Sequence, residues 1–167
     1  EKTREKLEAL IEKSYSGYWK KKRLFDIFFA SIILLGFLPL MIIIAIVIVI
    51  DDPSAGPFFK QKRVGRHGEE FYMYKFRSMS DARDEHNNLL PDEERLGKFG
   101  KKLRATSLDE LPSLWNVVTG SCSLVGPRAL YMKYVPRYSP EQARRLEVRP
   151  GITGLAQING RNAISWE

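Results

Sequence analysis

The sequence predicts a small α+β fold, mostly helical, attached to a membrane by a re-entrant helical hairpin. Three observations carry this expectation. The 24 residues Ile27–Ile50 are apolar and uncharged but interrupted by Pro39. Short apolar strands around a glycine turn follow them, and two brief helices with start signals lie among many Gly, Pro and basic residues. At 167 residues the chain has room for one compact domain plus accessory segments.

Residues 1–21 come first. Leu7, Leu10, Ile11, Tyr15 and Tyr18 recur at helical spacing among charges, which predicts an amphipathic helix on a membrane surface or against a partner. Residues 22–50 form the membrane segment. As a straight helix its uncharged part would reach about 36 Å, enough to cross a hydrocarbon core of about 30 Å. Pro39 removes a backbone donor and biases Leu38 away from helix, which predicts a break at Leu38-Pro39. Lys20, Lys21, Lys22 and Arg23 precede the segment, and Lys60, Lys62, Arg63 and Arg66 follow it. The positive-inside tendency would hold both flanks in the cytoplasm, and each half would then reach about 18 Å into the bilayer. A single transmembrane helix kinked at proline is the competing reading of the same residues. Asp26, at the apolar boundary, has Lys22 and Arg23 within pairing distance along a helix.

Residues 51–167 form a polar domain. Pro57–Gln61 and Glu70–Phe76 are expected as strands around a turn at Gly65–Gly68, followed by a charged stretch over Ser78–Arg95. Ser107–Val118 and Ser139–Val148 are expected as helices, the second opening on a capping box with Pro140 at the first position.

Lys and Arg number 27 against 20 Asp and Glu, a net charge of +7 that calls for an anionic partner. The single cysteine, Cys122, excludes an internal disulfide framework and sits in an apolar stretch that suits packing more than reactivity. Three clusters carry candidate chemistry. Asp109-Glu110 is a carboxylate pair at a helix start, where a capping box with Ser107, or Asp109 as the cap itself, is the structural alternative. The functional reading is a carboxylate kept ionised beside amides that bind phosphate. Val125-Gly126-Pro127-Arg128 and the run Arg149-Pro150-Gly151 to Asn159-Gly160-Arg161-Asn162 place arginines beside glycines, where a backbone can approach a ligand and a guanidinium can grip phosphate. With Lys75, Arg77 and Arg104 added, the set points to phosphate chemistry. The aromatics Tyr72, Tyr74 and Phe76 around Lys75 also suit single-stranded nucleic acid, but the membrane segment argues against a nucleic-acid partner.

These motifs resemble the small monotopic phosphoglycosyl transferases. The resemblance runs from about Lys22 to Glu167. It rests on Lys22-Arg23-Leu24-Phe25-Asp26, Tyr74-Lys75-Phe76-Arg77-Ser78-Met79, Arg95-Leu96-Gly97, Ser107-Leu108-Asp109-Glu110-Leu111-Pro112, Gly126-Pro127-Arg128 and Val148 to Gly154 continuing through Arg161. It implies a re-entrant helix, a catalytic domain on the cytoplasmic face of a bacterial inner membrane, and transfer of a sugar-1-phosphate from a UDP-sugar to undecaprenyl phosphate with release of UMP. It implies Asp109 as the nucleophile that holds the phosphosugar covalently. Mg²⁺ follows from it too, with Glu110 as ligand or electrostatic partner and Arg161 and its neighbours as phosphate holders. The ending Asn159 to Trp166 resembles members acting on acetamido sugars of the N,N′-diacetylbacillosamine type, with glucose- or galactose-1-phosphate transfer as the alternative. A non-catalytic basic membrane adaptor is the reading of another class, and a homodimer stays open. Members often carry Ser-Pro where this chain has Leu38-Pro39, and Ser121, Cys122 and Ala129 also depart from the pattern. The resemblance further implies that the protein continues beyond Glu167.

Overall fold

The computed structural model describes residues 2–53 and 56–159, with side chains from Gly17 onward. A single helix, α1 (Lys2–Asp51), precedes an antiparallel hairpin of β1 (Phe58–Val64) and β2 (Glu70–Phe76). A polar excursion follows, ending in α2 (Asp92–Arg95) and α3 (Lys98–Ala105). The 3-10 turn Leu108–Ser113 leads into α4 (Leu114–Thr119) and β3 (Ser123–Val125). The 3-10 turn Met132–Arg137, α5 (Pro140–Ala143), the 3-10 turn Arg144–Glu147, β4 (Gly151–Thr153) and α6 (Leu155–Ile158) complete the order. The fold is thus mixed and mostly helical, as expected. The amphipathic face foreseen in residues 1–21 lies largely on side chains outside the described residues.

The expected pair of half-helices about Pro39 is not what the backbone shows: α1 runs through Pro39 as one helix of 50 residues. Proline removes a single N–H from the ladder, a loss a helix tolerates when its neighbours hold it. Here the neighbour is the polar domain. Ala30, with Ile33 and Leu34, packs against Met73, Leu114, Val117, Cys122 and Ala129. Beyond Pro39, Ile44 and Ile48, with Leu40, Met41 and Ala45, pack against Phe76 and Leu103. Both halves of the apolar run therefore bury one stripe on the same domain, while Phe28, Ile32, Leu35, Ile42, Ile43 and Ile46 stay exposed on the other side.

The helix is also clamped at its polar end. Asp26 is only 3 % exposed. It accepts from Lys22 Nζ at 3.1 Å, Ser123 Oγ at 2.7 Å and the Leu124 amide at 3.2 Å, which offsets the cost of burying a carboxylate. Arg23 donates to the carbonyls of Val117 and Val118 at the end of α4. The motif Lys22 to Asp26 is thus a joint between α1 and the domain.

The β-hairpin is longer than its sequence pattern suggested, pairing Phe58 with Phe76 through Val64 with Glu70. Its turn uses two left-handed residues, His67 (φ 58°) and Gly68 (φ 81°). The helix expected over Ser107–Val118 is divided: Pro112 cannot donate within it, and the first half winds as a 3-10 turn behind Ser107 at φ 58°. The capping box at Ser139 forms as expected, with Gln142 N donating to Ser139 Oγ at 3.2 Å and Ser139 N to Gln142 Oε1 at 3.1 Å.

β3 and β4 pair in parallel, Ser123 opposite Gly151 and Val125 opposite Thr153, which joins two of the sequence clusters. A Cβ built on Gly151 would lie 2.1 Å from the Gly126 nitrogen. These glycines permit two backbones to touch each other, a different use from the close ligand approach their spacing suggested.

Candidate active site

Period-two alternation places Phe59, Gln61 and Arg63 of β1 on the face of the hairpin that also carries Met73 and Lys75 of β2, their partners being Lys75, Met73 and Phe71. The 3-10 turn packs against β2 and brings Asp109 and Glu110 to that face. Arg104 comes from α3, and Arg128 and Tyr131 come from the segment after β3. Together with Arg77, Ser78, Asp81 and Arg95 these side chains, Met73 excepted, line a cleft of about 390 Å³.

Lys75 Nζ donates to Glu110 Oε1 at 2.8 Å, both side chains partly buried. The capping box between Ser107 and Glu110 does not form: no side chain caps the 3-10 turn, and Glu110 turns to Lys75 instead. Burial pushes the Asp109 carboxyl above its ordinary range, and neighbouring Glu110 pushes the same way, while Lys75 and Arg104 oppose them. A six-residue 3-10 turn offers a weak dipole, so the lowering influence expected of a helix start is outweighed at Asp109 by desolvation.

Arg104 Nε donates to Ser78 Oγ at 2.8 Å. Arg77 and Arg95 share Asp81, at 2.8 and 3.8 Å. Arg63 is 8 % exposed; it donates to Gln61 Oε1 at 2.5 Å and to the Ala129 carbonyl at 3.3 Å, and lies 3.8 Å over the Tyr131 ring. Gln61 Nε2 donates in turn to Tyr131 Oη at 2.8 Å.

Of the residues singled out in the sequence, Lys75, Arg104, Asp109, Glu110 and Arg128 meet in this cleft. Arg149 does not. Its Nε donates to the Gly120 carbonyl at 2.8 Å, and it lines a groove beside the start of the apolar run of α1. Arg161 and Asn162 lie outside the described residues. Gln61, Tyr131 and Arg95 were missed as site residues, and Arg63 was read only as membrane-flanking charge. The alternation Phe59-x-Gln61-x-Arg63 opposite Lys75 was the signal available for the hairpin residues. Cys122 is fully buried and its thiol is pushed up to about 12, in keeping with a packing role.

A carboxylate pair within a ring of cations, on a chain with an apolar helix of membrane length, marks a class of site suited to anionic groups. The chain belongs to the bacterial sugar transferase family, whose profile matches residues 17–167. It is 57 % identical over 146 residues to the "Uncharacterized sugar transferase EpsL" of Bacillus subtilis, covering 87 % of this chain and 72 % of that protein. It is 44 % identical over 147 residues to the UDP-glucose:undecaprenyl-phosphate glucose-1-phosphate transferase of Xanthomonas campestris, covering 83 % of this chain and 30 % of that one. With the UDP-galactose-lipid carrier transferase of Erwinia amylovora it shares 36 % identity over 163 residues, 87 % of this chain and 34 % of the relative. The chain thus spans about a third of the length of the last two.

Proposed function

We propose that this chain transfers a sugar-1-phosphate from a UDP-sugar to undecaprenyl phosphate, with Asp109 as nucleophile. The observation that carries this reading is the meeting of Asp109 and Glu110 with Lys75, Arg104 and Arg128 in one cleft. A carboxylate oxygen of Asp109 bonds to the β-phosphorus while the bond from that phosphorus to the bridging oxygen breaks, and the electron pair leaves with UMP. The lipid phosphate oxygen then bonds to the same phosphorus and the Asp109 carboxylate is released. Neither half-reaction needs a proton transferred, so a nucleophile and cations suffice.

Mg²⁺ suits this donor set. Magnesium is ordinarily held by one or two carboxylates together with substrate phosphates and water. Glu110 would hold it here beside Asp109, and bound there it would neutralise phosphate charge. Arg161 and Asn162 keep their place in this reading as phosphate holders. The names of the Xanthomonas and Erwinia relatives favour glucose or galactose as the sugar. The acetamido reading rests on the chain's ending.

A soluble nucleotide and a lipid phosphate must both reach the cleft. We infer that α1 bends at Pro39 in the membrane while keeping its helical ladder, so that it enters and leaves by the cytoplasmic face of the bacterial inner membrane as a re-entrant segment. The packing of both its halves on one domain supports this.

The test is mass spectrometry of the peptide carrying Asp109 after incubation with UDP-glucose, UDP-galactose or a UDP-diacetamido sugar. A phosphosugar mass on Asp109, lost with Asp109→Asn and discharged by undecaprenyl phosphate, is the expected result. UMP release undiminished in Asp109→Asn would sink the proposal.

A further inference from the structure

Arg149, absent from the carboxylate cleft, has company elsewhere. With Lys20, Arg23 and Arg66 it surrounds a groove of about 640 Å³ whose apolar lining is Trp19 and exposed Leu24. Among the described residues, none of these four cations forms an ion pair with a carboxylate. Three are held in place by main-chain carbonyls. Arg23 donates to Val117 and Val118, Arg149 Nε to Gly120 at 2.8 Å, and Arg66 Nε to Glu147 at 3.0 Å. Arg66 and Arg149 are anchored through Nε, so the terminal nitrogens of each fork are left for a ligand with several acceptor oxygens. Arg23 and Arg149 repel one another, and the neighbouring Asp26 carboxylate is already engaged by Lys22, Ser123 and the Leu124 amide.

The place of the groove identifies the anion. Trp19 and Leu24 lie within about two and a half turns before Ile27, where the uncharged run of α1 begins. In a bilayer this is the level of the lipid phosphates, just outside the hydrocarbon core, where tryptophan and basic residues concentrate. We propose that this groove binds the phosphate headgroup of an anionic phospholipid, gripped by Arg66 and Arg149 with Lys20 and Arg23 adding field. A lipid held there would fix the depth at which α1 enters the membrane. The proposal rests on the membrane placement of α1 and on no step of sugar transfer.

The test uses the full chain in phosphatidylcholine bilayers with a minority of phosphatidylglycerol, released into mild detergent for native mass spectrometry. The wild type should retain phosphatidylglycerol over phosphatidylcholine, and added inorganic phosphate should not displace it. Lys20→Gln combined with Arg66→Gln leaves the α4 anchors of Arg23 and Arg149 in place. It should lower the preference by roughly twenty-fivefold, about fivefold for each cation, with the unfolding temperature unchanged. An unaltered preference in the double variant, or none in the wild type, overturns the proposal. Displacement by inorganic phosphate overturns it too, by marking a site for free phosphate. Since no turnover is measured, each of these outcomes leaves the reading of Asp109 as it stood.

Discussion

At Asp109, burial and charge pull in opposite directions. Desolvation favours the neutral acid, while Lys75 and Arg104 favour the carboxylate. The nucleophile proposed at Asp109 must be ionised, so on that proposal transfer should be lost as pH falls through a midpoint above the ordinary aspartate value of about 3.9. Lys75→Gln removes the largest opposing cation, which should move that midpoint toward alkaline pH and slow transfer about ten- to a hundredfold at fixed pH. An unmoved midpoint in that variant would show that Lys75 does not act on Asp109. The same shift has a consequence for stability. A carboxylate whose folded pKa is raised binds its proton more tightly in the native state, so its stabilising effect is present below the unfolded pKa and fades as pH rises through the folded one. At neutral pH, therefore, Asp109→Asn should unfold at a higher temperature than wild type while losing at least about a thousandfold in transfer. An unfolding temperature below wild type at neutral pH would contradict the burial argument.

Among the elements, α4 shows how a short helix can serve a strand. Asn116 is 2 % exposed; its Oδ1 accepts from the Tyr74 amide at 3.0 Å and its Nδ2 donates to the Tyr72 carbonyl at 2.7 Å. One side-chain amide thereby completes the outer edge of β2, next to Lys75. Asn116→Leu would leave both backbone groups unpaired and should destabilise by about 2 kcal/mol or more in denaturant unfolding. Asn116→Asp can still accept from Tyr74 but cannot donate to Tyr72, and should fall between. The pattern of apolar residues could not announce this contact, because it joins positions 42 and 44 residues apart through a polar side chain. The hairpin itself was legible, since Gly65 to Gly68 separates two runs rich in aromatic and basic residues. Its extension to Val64 was not, because Lys62 and Arg63 look like flanking charge until pairing puts one outward and the other into the cleft. Asp109 and Glu110 were legible as a motif. Their partner was not, because a capping box and a Lys75 pair are equally open to Glu110 until the chain folds.

At the scale of the whole molecule, one long apolar helix lies along a polar domain, and the proposed reaction requires that domain to meet both water and lipid. The two halves of the α1 stripe rest on Met73, Leu114 and Val117 in one case and on Phe76 and Leu103 in the other. A transmembrane helix standing upright would leave its domain within the first turns and carry residues near Ile48 to the far leaflet. Here Ile44 and Ile48 are buried on the domain beside α3, and Asp51 is followed directly by the segment leading to β1. Proline composition suggested a break because it reports a lost hydrogen bond, whereas only tertiary packing decides whether the helix continues. Crossing the bilayer would carry Leu40, Met41, Ile44 and Ile48 away from Phe76 and Leu103 and leave those two domain side chains open to water, at about 1.5–3 kcal/mol for each large apolar side chain. Single cysteines at Lys20 and Lys60, in a Cys122→Ala background, should therefore both react with an impermeant thiol reagent in inside-out vesicles. Neither should react in intact spheroplasts. Labelling of the two positions from opposite faces would mean that α1 crosses the membrane and that the packing of its second half on the domain is not the membrane-bound state.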